Sequence, residues 1–146
     1  MDTTETQLGD LVTAMHGPGQ ACDYGCSPAV AVVQHWADFA QDLETGKRIV
    51  AVSGWCWWDL EFPPHAREKI DALLARAEIK PVYLWANNVI FDTSRRFQPG
   101  SWVRTTALVK LHEHCIFETR NSLYLLVGSG TRAPVDIAIA HLLALG

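Results

Sequence analysis

A chain of 146 residues has the length of one domain, enough to bury about 68–70% of the surface that the unfolded chain exposes. Apolar residues at 49% against 19% charged exclude a disordered chain. The net charge of −4 and a pI near 5.8 argue against a nucleic-acid-binding surface, which is usually basic.

The charge is unevenly spread. Residues 1 to 46 carry seven acids and no Lys or Arg, whereas the remaining hundred carry nine acids and twelve bases. Acidic N-terminal helices therefore complement a mildly basic sheet within one fold or across a dimer. Charge this sparse leaves apolar surface to cover, so a homo-oligomer, most simply a homodimer, is expected.

In chain order, the first element is a helix over 4–15, with Leu8, Leu11, Val12 and Met15 at i, i+3, i+4 and i+7. His16-Gly17-Pro18-Gly19 stops it, and Gln20 to Cys26 reads as a loop. Ser27-Pro28 opens a second helix over 28–45, whose apolar face is Ala29, Val32, Val33, Trp36, Phe39, Ala40 and Leu43. A short interior strand follows at 48–53, apolar on both faces and broken by Gly54. Pro63-Pro64 starts a third helix over 63–78 along Ile70, Leu73, Leu74 and Ala77.

From residue 80 to 128 apolar and polar residues alternate, which predicts a meander of antiparallel strands. Asn87-Asn88 marks a turn or bulge in it, and Arg120-Asn121 a two-residue hairpin. Pro134 begins a last helix over 134–145, apolar around most of its girth and so buried on more than one side, by the sheet or by a second subunit. The expectation is a single α+β domain over 1–146, with a mainly antiparallel sheet packed against four helices. The longest apolar run, Ile137 to Leu145, is too short to span a bilayer. The N-terminus lacks the basic and apolar regions of a signal peptide, which leads to a cytoplasmic location with four reduced thiols.

Four constellations bear on chemistry. Trp55, Trp57 and Trp58 flank Cys56, and on a strand Trp55 and Trp57 share one face while Trp58 takes the other. Rings that bury about 150–250 Å² each serve either as core or as the aromatic wall of a pocket or interface, with Asp59 setting polarity at its rim. His112, His114 and Glu118 match the His-x-His-x3-Glu spacing of cupin metal sites and would share one face of a single strand, where they could hold a transition metal. The glycine expected seven residues beyond the glutamate is Leu125 here, and a fourth ligand is not evident. Cys22-x3-Cys26 has the spacing of a zinc half-site without its second half. Finally Arg95-Arg96 and Arg104 with Thr105-Thr106 are either solvated or an anion site.

The pattern Trp57-Trp58-Asp59-Leu60, Pro81-Val82, Phe91-Asp92 with Arg95-Arg96-Phe97, Val103-Arg104-Thr105 and Phe117-Glu118-Thr119-Arg120-Asn121 with Tyr124 to Gly128 resembles a family of small uncharacterised bacterial proteins. Members of that family are often found in mobile or prophage-borne DNA. The resemblance covers roughly residues 50 to 130 and implies an α+β domain of unknown function, with no catalytic residue to transfer.

Three functional expectations follow. The first is a non-enzymatic binding or interaction protein whose aromatic segment and last helix take a small apolar or aromatic ligand, a protein partner or a second copy. The second is a metal-dependent enzyme using His112, His114 and Glu118. The third is a mobile-element protein that engages a host partner through its acidic first third.

Overall fold

A computed structural model describes residues 3–17 and 19–142, with side chains from Leu8 onward. The elements run α1 (Thr3–His16), β1 (Gln20–Cys22), α2 (Val30–Asp42), β2 (Arg48–Glu61), a 3-10 turn (Pro64–Ala66) and α3 (Arg67–Ala77). They continue β3 (Val82–Asp92), β4 (Val103–Arg104), β5 (Lys110–His112), β6 (Ile116–Glu118), β7 (Ser122–Leu126), β8 (Gly130–Asp136) and α4 (Ile137–Ala140). The class is α+β. The sheet, however, is mixed rather than mainly antiparallel.

The mixture originates at β2, a strand of fourteen residues instead of the short one expected at 48–53. One edge pairs antiparallel with β3, from Val50↔Asp92 to Asp59↔Val82. The other edge pairs parallel, first with β7 from Arg48↔Ser122 to Val52↔Leu126, then with β8 from Cys56↔Thr131 to Glu61↔Asp136. The segment from Ser122 to Asp136 is thus one extended run beside β2, broken between Leu126 and Gly130. Beyond it β7 pairs with β6 and β6 with β5, while β1 pairs with β8 and β4 with β3.

The sheet curls strongly. Leu108 exchanges backbone hydrogen bonds with Lys80 and Val82, and the next residue, Val109, donates to Glu118 O. One short segment therefore connects the β3 edge to the β6 edge. The enclosed face is lined by Val50, Val52, Trp57, Leu84, Val89, Val103, Phe117, Tyr124 and Leu126, all buried. Helix α2 covers one outer face through Trp36, Phe39 and Ala40 against Ile49, Ile116 and Leu125. Helices α1 and α4 cover another, with Leu11, Ile139 and Ala140 against Trp58 and Trp85. The last turn of α1 leaves carbonyls without helical donors, and Trp58 Nε1 donates to Ala14 O at 3.2 Å in that position.

Several expected elements move. Asn87-Asn88 makes no turn: β3 passes straight through, because the facing residues of β2 are small. Gly54 leaves the space that the Asn87 side chain fills, and Asn88 Nδ2 donates to Ser53 Oγ at 3.0 Å. The irregularity falls instead at Ile90, where the β2–β3 register shifts. The last helix is reduced to Ile137–Ala140, since Pro134 to Asp136 are the end of β8; the rest of the expected span beyond Leu142 lies outside the described residues. Pro134 is tolerated in a strand because β1 reaches only to Arg132, leaving an edge on which no N–H is required. Within the meander expected over 80–128, the stretch from Trp102 to Val109 is ordered as a strand only at β4, Val103–Arg104. Helix α2 begins at Val30 rather than Pro28, with Ser27 Oγ accepting from Ala29 N–H. Helix α3 buries none of its residues completely. The α2 face stands as expected from Val32 to Leu43, with Ala29 exposed at the N-cap, and so does the Arg120-Asn121 hairpin.

Trp55 fills the break between β7 and β8. Its indole donates to Gly128 O at 3.2 Å, and a Cβ on Gly130 would stand 2.3 Å from the ring. Only a residue without a side chain lets the backbone lie flat on that indole. Replacing Gly130 by Ala is expected to cost about 1–3 kcal/mol by overpacking, read as a lower urea midpoint. Gly9, helical and with open space around it, is the counter-case: Gly9→Ala should stabilise by about 0.5–1 kcal/mol.

Candidate functional site

The residues singled out in the sequence separate into three groups. Trp55, Trp57 and Trp58 are at most 4% exposed, so these rings are core and present no free aromatic wall. Asp59 does sit at their edge. Its carboxylate accepts from Trp57 Nε1 at 3.1 Å and from both Nε and Nη2 of Arg132, at 2.7 and 3.0 Å. The Arg132 guanidinium lies 5.4 Å from the Trp57 ring centre, so the ion pair packs against the ring.

His112 and Glu118 come together, but His114 does not join them. The chain reverses at Glu113, which has φ +55, so the two histidines lie on a strand end and a turn rather than on one strand face. His112 Nε2 meets Glu118 Oε1 at 2.6 Å across the β5–β6 pair, and Lys47 Nζ bonds the other oxygen of Glu118. His114 instead packs edge-on to Trp36. Among the described residues no group of three His, Cys, Asp or Glu side chains is placed to hold a metal ion. Cys22 and Cys26 are free thiols, Cys26 buried beside α2. Cys115 is buried too, and burial, followed by Cys26 and Glu113, pushes its thiol up to about 12.

The third group forms a site. Arg48, Arg96, Arg104, Thr105, Thr106, Thr119, Asn121, Ser122 and Tyr124 line a cleft of about 110 Å³. Three lining residues are arginines and none is a carboxylate. The topology explains the gathering: Arg48 is the first residue of β2 and Ser122 the first of β7, and their parallel register sets them side by side. Thr119 caps the hairpin there, its Oγ1 accepting from Ser122 N–H at 3.1 Å. Thr105 is anchored to β3, its hydroxyl accepting from Leu84 N–H at 3.0 Å.

Arg48 is held by Asp92, at 3.1 Å from Nη1, and by Ser122 Oγ, at 2.8 Å from Nε, with its guanidinium 4.7 Å from the Phe97 ring centre. Asp92 also folds the following loop, accepting from Ser94 N–H, the Ser94 hydroxyl and Phe97 N–H. That loop carries Arg96 to the cleft. Arg95, one residue earlier, has φ +58 in the turn and stays outside the lining.

Arg104 is the one of the three with a buried donor left unsatisfied. It is 5% exposed, with its guanidinium 4.6 Å from the Tyr83 ring centre and Nη1 donating to Thr105 O at 3.4 Å. Its Nε is buried with no hydrogen-bond partner. Among the described residues neither Arg96 nor Arg104 pairs with a carboxylate. Burial pushes the Tyr124 phenol up despite the charge of Arg48, so it remains a neutral hydroxyl able to donate. Sequence inspection reached Arg96, Arg104, Thr105 and Thr106 but missed Arg48, Thr119, Ser122 and Tyr124. Their only local signal was a basic residue or hydroxyl at the tip of an apolar run.

The carboxylates supporting the site have a definite pH dependence. Burial alone would raise the Asp92 pKa, but the Phe97 and Ser94 hydrogen bonds and the Arg48 charge outweigh it and hold the group below its ordinary 3.8. For Glu118 burial is likewise outweighed, by Lys47 and His112, and the group lies below 4.5. A lowered folded pKa adds stability that is present above the ordinary value and lost as pH falls through the folded one. Acid unfolding followed by tryptophan fluorescence should therefore show stability declining below about pH 4.5. Asp92→Asn should lose about 3–5 kcal/mol at neutral pH and show a shallower acid decline.

Residues 24–141 match the model of the family described as Domain of unknown function (DUF6957), and the chain belongs to that family. The match is wider than the resemblance over 50–130, taking in α2 and the end of β8, and leaves α1 outside. No curated protein and no solved structure matches the chain.

Proposed function

We propose that this DUF6957 protein is a non-enzymatic binding protein that takes an anionic ligand in the cleft of Arg48, Arg96 and Arg104. The observation that carries the reading is the charge imbalance of that cleft: three guanidinium groups line it, and only Arg48 has a carboxylate partner among the described residues. Arg104 is a buried cation, costly unless paired, so an incoming anion supplies the partner that the described residues do not. Guanidinium forks suit planar or tetrahedral oxyanions, and neighbouring hydroxyls add further donors.

Binding is favoured over catalysis because the lining offers donors and little else. Among its residues there is no carboxylate, imidazole or thiol to serve as a base. The aromatic wall expected of Trp55 to Trp58 has no part in this reading, since those rings are enclosed. No helix among the described residues is long and apolar enough to cross a membrane.

Titration calorimetry with inorganic phosphate at low ionic strength tests the proposal. Saturable binding is expected, weakened at least tenfold by Arg104→Gln or by Arg96→Glu and reduced by added salt. Arg96 is exposed, so its replacement leaves the fold intact and isolates the electrostatic effect. Binding that is absent, or indifferent to both substitutions, would overturn the reading.

A further inference from the structure

We infer that the ligand is an organic phosphate monoester, its phosphoryl group in the arginine cleft and its body in the cavity next door. This rests on the anion reading above and adds both the charge and the shape of the ligand. Two observations carry it.

The first is charge. Of the three guanidinium groups, Arg48 is neutralised by Asp92, which leaves Arg96 and Arg104 to be matched. A phosphate monoester carries about −1.5 to −2 at pH 7, close to that surplus, whereas a carboxylate carries one charge. The arginine cleft, at about 110 Å³, has room for roughly three or four waters at ~30 Å³ each, the scale of a phosphoryl group and little more.

The second is adjacency. Thr106 and Asn121 also line a second cavity of about 230 Å³, completed by Ile79, Ala107 and Arg120. The two spaces share a wall of two polar residues. Beyond that wall the lining turns apolar at Ile79 and Ala107, with Arg120 exposed at the hairpin tip. An ion without a body leaves the larger space to water. A monoester places its bridging oxygen near Thr106 and Asn121 and rests a ring or short chain on Ile79 and Ala107, removing apolar surface from water.

Calorimetry on the intact chain with inorganic phosphate, phenyl phosphate and benzoate decides it. Phenyl phosphate is expected to bind at least tenfold more tightly than inorganic phosphate, and more tightly than benzoate, which has the ring but a single charge. Ala107→Trp, which fills the second cavity, should abolish the gain of phenyl phosphate over inorganic phosphate. Equal affinity for inorganic and phenyl phosphate would overturn the two-cavity ligand while leaving the anion site standing. Benzoate binding as tightly as phenyl phosphate would overturn the dianion. Failure of all three ligands to bind would remove the anion site itself.

Discussion

The parallel register between β2 and the run from Ser122 to Asp136 is the constraint on which the rest of the molecule depends. A fourteen-residue strand cannot satisfy both edges from a neighbouring hairpin alone. One edge goes to β3, and the other is supplied by a segment far along the chain. Because that segment breaks at Val127 to Ser129, something must occupy the gap, and Trp55 does so with glycine backbone against its ring. The curl of the sheet and the three apolar clusters follow from this arrangement, since β2 lends side chains to all of them.

The same register builds the anion cleft. Strand beginnings in a parallel pair lie together, so Arg48 and Ser122 become neighbours although they stand 74 residues apart in the chain. Asp92, at the end of β3, then fixes both the guanidinium of Arg48 and the loop that presents Arg96. Placing an arginine on a strand end rather than on a free loop limits its rotamers, which lowers the entropy lost when an anion arrives.

Part of this was legible in the residues alone. Runs of β-branched and aromatic residues marked parts of β3, β6 and β7 as strand, and the one-sided stripe marked α2, because residue type and local periodicity report on burial. The parallel pairing was not legible. Two runs buried on both faces carry no mark of which partner each takes, and Pro134 with the apolar residues after it has the look of a helix start unless β1 is known to stop short. The histidine pair misled for a related reason: alternation along one strand was assumed through a position where Glu113 turns the chain with a positive φ. In the cleft, the adjacent Arg95 and Arg96 looked equivalent, and only the hydrogen bonds of Asp92 distinguish the one turned outward from the one delivered to the site. Arg48 gave no sign, because its partner is set by tertiary register and lies 74 residues away.

That separation also bears on how the chain reaches its native state. During synthesis β2 and β3 emerge long before Ser122, so one edge of the longest strand, with its tryptophans, waits without its partner. Closing so large a loop is entropically slow, and mixed sheets of high contact order fold later than locally paired ones. Until Ser122 to Asp136 leave the ribosome, the intermediate exposes an adhesive edge, and chaperone demand should concentrate in that interval.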